Sequence, residues 1–135
     1  MRVTGALLSA VAGALAASVV SGAALAQSMT PMRGEVVSVS DAFAVRIFPS
    51  NPYDRPIRVD VRVYDQDFAP VGGVRISASP VMLASGASRP VIVAIPFDGR
   101  RERKVRVCAE SIPFPNSQTQ VRAQICGKFL GKRAS

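Results

Sequence analysis

Arg103-Lys104-Val105-Arg106-Val107-Cys108-Ala109 and Gln120-Val121-Arg122-Ala123-Gln124-Ile125-Cys126-Gly127-Lys128-Phe129-Leu130 are the stretches that decide the fold. Both alternate with a period of two, the spacing of a strand with one buried face. They carry the two cysteines of the chain. If Cys108 faces Cys126 across an antiparallel pair, every other partner follows. Ala109 meets Ile125, Val107 meets Gly127 and Val105 meets Phe129, all on one face. Arg106 meets Lys128 on the other face, beside the sulfurs. One register satisfies both the thiols and the apolar pattern, and a slip of one residue would turn each side chain to the wrong side. The connecting turn falls in residues 113–118. A structural disulfide is expected. No Cys-x-x-Cys motif points to redox chemistry.

The same period recurs upstream. Ile57, Val59, Val61 and Val63 point one way, and Arg58, Asp60, Arg62 and Tyr64 the other. Phe43, Val45 and Ile47 repeat the pattern over residues 42–48, with shorter runs at 35–39 and 74–78. Residues 91–95 are continuously apolar, which suits a strand covered on both faces. Ten prolines break any long helix. Turn chemistry separates the runs at residues 49–56, Gly72-Gly73, residues 85–88 and Asp98-Gly99. Seven short strands with regular breaks predict an all-β, seven-stranded, immunoglobulin-like antiparallel sandwich. The basic tail from residue 127 to 135 is expected to fray at its end.

Residues 1–26 read as an address. Arg2 gives a positive start, an Ala/Leu/Val/Gly/Ser stretch follows, and Ala24-Leu25-Ala26 forms a small-x-small cleavage site. A membrane anchor is the rival reading, but the stretch is Ala/Gly-rich and no basic cluster follows it. The expected organisation is a signal peptide over 1–26 and one domain over 27–135. That implies export to the periplasm, or beyond the cell, with no membrane span after cleavage. An oxidising compartment favours the disulfide.

Composition narrows the chemistry. The chain has 135 residues, 48% of them hydrophobic, no His and no Trp. His-dependent triads and His-ligated metals are excluded, and two cysteines cannot close a zinc site alone. No nucleophile motif, paired carboxylates or phosphate loop stands out, so no enzyme activity, metal or cofactor is expected. The net charge of +8 falls to +7 when Arg2 leaves with the signal. Arg100-Arg101-Glu102-Arg103-Lys104 reads either as a polyanion site or as a charged turn guarding a strand edge. Nucleic acid is not expected as a partner, because export removes it from reach and no aromatic residues interleave the basic ones.

The order of motifs resembles the N-terminal domain of periplasmic pilus-assembly chaperones of the PapD-like type. Six fragments carry the resemblance: Thr30-Pro31-Met32-Arg33; Asn51-Pro52 with Pro56 before a strand; Ser79-Pro80 through Ser85-Gly86; Pro96-Phe97-Asp98-Gly99-Arg100-Arg101-Glu102; the ten-residue spacing from Glu102 to Ile112-Pro113; and Gly127-Lys128-Phe129-Leu130. The resemblance implies a chaperone-like module that caps, or donates a strand to, a pilus or envelope subunit. Arg33 and Lys128 match the family's Arg and Lys, which grip the subunit's terminal carboxylate. Val121, Ala123 and Ile125 match the alternating apolar set that its last strand lends to the subunit's incomplete sandwich. Such recognition is β-strand addition, and it brings with it weak self-association through an open edge.

The residues also admit plainer readings. Arg33 and Lys128 can be solvated charges, and Val121, Ala123 and Ile125 can be core. One sheet face cannot be wholly buried and wholly free, so the two readings compete. The alternative function is a structural or adhesive envelope module that binds anionic surfaces through its basic charge.

Overall fold

Val, Ile and Phe at every second position can bury one side of a strand only if a second sheet covers it. The structure, a computed structural model, describes residues 28–113 and 121–134, with Gly13 alone before them. The expected signal peptide and most of the 113–118 turn lie outside the described residues. Nine strands form among the described residues: β1 (Ser28–Thr30), β2 (Arg33–Ser38), β3 (Ala42–Ser50), β4 (Ile57–Tyr64), β5 (Arg75–Ile76), β6 (Val81–Leu83), β7 (Val91–Pro96), β8 (Glu102–Ser111) and β9 (Ala123–Arg133). One sheet runs β1-β3-β7-β5 and the other β2-β9-β8-β4-β6. Phe43, Val45 and Ile47 of β3 and Val91, Val93 and Ile95 of β7 meet Val59, Val61, Val105, Val107 and Phe129 between the sheets. Phe43 and Phe97 pack at 5.0 Å between ring centroids.

Four expectations need correction. The count is nine strands rather than seven, because β1 and β6 have three residues each, too few to show alternation. The sandwich is not wholly antiparallel: β2 runs parallel to β9, a direction that a period of two does not encode. The run at 91–95 is covered on one side only, since Ile92 is 49% exposed and no layer lies outside it among the described residues. The tail is tied down as far as Ala134, whose amide donates to Ser38 O at 2.8 Å, because β9 continues along β2.

Two connections position the last strands. The chain changes sheet between β1 and β2 at the cis Thr30–Pro31 bond. It changes again between β7 and β8 in a turn with φ of 51° at Asp98 and 74° at Gly99, closed by Arg100 N donating to Phe97 O. Both central residues are left-handed, which suits Asp-Gly. Asn51 anchors the loop before β4. It is 1% exposed, its amide nitrogen donates to Arg55 O, Leu83 O and Ala84 O, and its side-chain oxygen accepts from Tyr53 N. A fully engaged buried amide of this kind holds three chain segments in one geometry.

Candidate functional site: the open half of the last strand

β8 and β9 pair over ten positions, with Cys108 opposite Cys126, Ala109 opposite Ile125, Val107 opposite Gly127 and Val105 opposite Phe129. The alternation puts Val105, Val107, Ala109 and Phe129 in the core. The cysteines are joined, with 4.0 Å between their Cα atoms. The register inferred from the sequence is the register of the fold.

β2 braces only part of β9. Its pairing begins at Arg33 opposite Lys128 and ends at Ser38 opposite Arg133. Residues 123–127 have β8 on one side and, among the described residues, no strand on the other. At about 3.4 Å per residue this is roughly 17 Å of open edge. Arg33 and Lys128 stand at its lower end, both exposed, and neither has an acidic partner among the described residues.

The apolar side of the open half is graded. Phe129 is 3% exposed, Ile125 and Ala123 are half-buried, and Val121 is 56% exposed just before the strand. The core and donor readings of Val121, Ala123 and Ile125 therefore apply to different places along one face. Ile125 packs against the core, while Val121 projects beyond it.

A polar cluster on the outer face holds this half-strand to β8. The Glu110 side chain is 5% exposed and accepts from Tyr64 OH at 2.8 Å and from Gln124 Nε2 at 2.7 Å. Arg62 Nε lies 3.3 Å and Arg122 NH2 3.8 Å from its other oxygen. Both arginines are more than half exposed, so screening leaves the two part-buried hydrogen bonds as the main stabilising contribution. Tyr64 is paired opposite Arg106, and Glu110 lies four residues further along β8. The two side chains therefore meet above Cys108, which is fully buried. Burial, then the hydrogen bond and charge of Glu110, hold the Tyr64 phenol above its ordinary 10.0, against the opposing pull of Arg62 and Arg122. Sequence reading missed this cluster. A single Glu in an alternating strand looks like any outward charge, and only the register brings Tyr64 and Gln124 to it.

No family model matches the chain, and no curated protein matches it. Solved structures do. The E. coli chaperone DraB superposes with a TM-score of 0.65 at 18% identity, over 81% of this chain and 56% of that one. The complex of the Salmonella enterica SafA pilin with the SafB chaperone gives 0.67 at 16% identity, over 82% and 56%. The seventh PapD-like domain of human CEP192 gives 0.58 at 11% identity, over 82% and 87%. The chain thus spans a little over half the length of the chaperone structures it matches. Among the described residues no helix is long and apolar enough to cross a membrane. Two sheets with no helix among the described residues, this strand order and these likenesses give the chain a PapD-like immunoglobulin fold, that of pilus chaperones.

Proposed function

We propose that this chain is a non-enzymatic, chaperone-like protein-binding module that acts in the periplasm after residues 1–26 have exported it. Its partner is an exported subunit of a pilus or of the envelope, bound by β-strand addition along residues 123–127. Val121, Ala123 and Ile125 offer their side chains to that partner, and Arg33 with Lys128 grips a terminal carboxylate.

The observation that carries the reading is the point on β9 where its pairing with β2 begins. Pairing begins at Arg33 opposite Lys128, so two cations with no acidic partner among the described residues stand where the open edge meets the braced half. Unpaired backbone groups of an edge supply affinity to an added strand, and side chains supply selectivity. A guanidinium and an ammonium together give a carboxylate several charge-assisted donors. The chaperone neighbours support the reading, one of them solved with a pilin.

The test is capture of partners from periplasmic extract by wild type, Arg33→Ala, Lys128→Ala and Val121→Asp. Each single-cation variant should lower capture about tenfold or more, as expected for loss of a charge-assisted bond. Val121→Asp, at an exposed position, should lower capture without changing the melting temperature. Undiminished capture by both Arg33→Ala and Lys128→Ala refutes the carboxylate grip, and undiminished capture by Val121→Asp refutes strand addition.

A further inference from the structure

The outer face of β2, β9 and β8 carries more positive charge than the described contacts consume. Along it stand Arg33 on β2, Lys104 and Arg106 on β8, and Lys128 and Lys132 on β9, against Glu35 and Glu102; a third carboxylate, Glu110 further along β8, is held by Arg62 and Arg122. Glu35 is taken up by Lys132 at 2.9 Å. Lys104 and Lys128 have no acidic partner among the described residues. Gln66, Lys104, Arg106, Lys128 and Leu130 line a hollow of about 300 Å³ on this face. The Arg106 guanidinium lies 4.4 Å over the Phe68 ring, and its Nε is buried without a hydrogen-bond partner among the described residues.

Apolar side chains stand among these cations. Val37 is 64% exposed beside Lys132, Val39 just past β2 is 87% exposed, and Phe68 is 48% exposed. The outer face of the other sheet is different: Arg46 and Arg75 lie there among Ala44, Ala94 and Ile92. The β2-β9-β8 face carries five cations against two on the other, and three of them, Lys104, Arg106 and Lys128, gather round one hollow, which favours an anionic group there.

From this arrangement we infer that the outer face of β2, β9 and β8 docks on an anionic lipid surface, with headgroup phosphates over Lys104, Arg106 and Lys128 and with Val37, Val39 and Phe68 in the interfacial layer. Charge complementarity selects the phosphate. The scattered apolar side chains select a lipid over an acidic polypeptide, because an interface accepts separate valines and a phenylalanine without a groove to seat a chain. The face shares Lys128 with the carboxylate grip, but the test below alters other residues and reads vesicle binding, so the two readings fail separately.

Vesicle co-sedimentation of the chain from residue 27 onward tests it, since the described residues of that stretch form the two sheets and their core. Vesicles of phosphatidylglycerol with phosphatidylcholine should bind it, and phosphatidylcholine alone should not. Binding should fall steeply as salt rises, because screening shortens the reach of surface charge to about 8 Å at physiological ionic strength. Lys104→Glu with Lys132→Gln should lower partitioning at least about tenfold, at roughly fivefold per cation. Val37→Ser with Val39→Ser should lower it further at high salt. Both variants are to melt cooperatively, as wild type does. Equal partitioning into both vesicle types overturns the inference, as does unchanged binding by the Lys104/Lys132 variant. Capture on polyglutamate with no vesicle binding also overturns it and assigns the face to an acidic protein.

Discussion

Removing the Cys108–Cys126 bond should loosen one half of β9 far more than the other. The perturbation is Cys108→Ala with Cys126→Ala, compared with the reduced wild type. The bond spans 18 residues of sequence, a loop for which chain entropy gives about 3 kcal/mol. For a domain of this size that lowers the melting temperature by about 10–15 °C. Location adds a local effect. Residues 128–133 lie between β8 and β2, whereas residues 123–127 have, among the described residues, β8 as their one paired strand, with the Glu110 cluster and the disulfide. Without the bond, the open-edged half can peel away while the braced half stays paired. Native-state amide exchange reads this directly. Exchange at residues 123–127 should accelerate by about a hundredfold, the factor that 3 kcal/mol corresponds to, and by much less at 128–133. A uniform acceleration along β9 refutes the reasoning, because it places the whole effect in the unfolded chain. No change at residues 123–127 refutes it as well.

The Tyr64 phenol titrates above its ordinary value in the folded chain, so the folded state holds this proton more tightly than the unfolded one. That stabilisation is complete below about pH 10 and is lost as pH rises through the folded value. Urea midpoints should therefore decline on the alkaline side in wild type, and the decline should be shallower in Tyr64→Phe. Asn51→Ala removes the donor to three carbonyls around the loop before β4 and should cost about 2–3 kcal/mol, measured by denaturant unfolding at constant slope.

Much of the architecture was legible because two independent constraints coincide at Cys108 and Cys126. Apolar alternation leaves a strand's partner open, and a covalent bond between strands removes that freedom. Arg33 and Lys128 came from the motif resemblance, and the fold sets them directly opposite each other. The parallel direction of β2 was not legible, since its residues alternate identically either way. The end of its pairing was not legible either, and that end is what leaves residues 123–127 open. The gradient from Phe129 to Val121 was beyond a pattern of apolar positions, because it depends on how far the opposing sheet extends. The Glu110 cluster draws on β4, β8 and β9, so no local window contains it.

Parallel pairing of β2 with β9 also bears on the order of assembly. The two partners are separated by roughly a hundred residues, and β2 has no other neighbour in its sheet. An N-terminal ribbon of this kind has to wait for the last strand to be delivered. Until then β8, ten residues long, presents one flank without a neighbour. A chain made N-terminus first therefore passes through a stage in which its longest finished strand is a template for strangers, and the arrival of residues 123–133 ends that vulnerability and seats β2 in the same event.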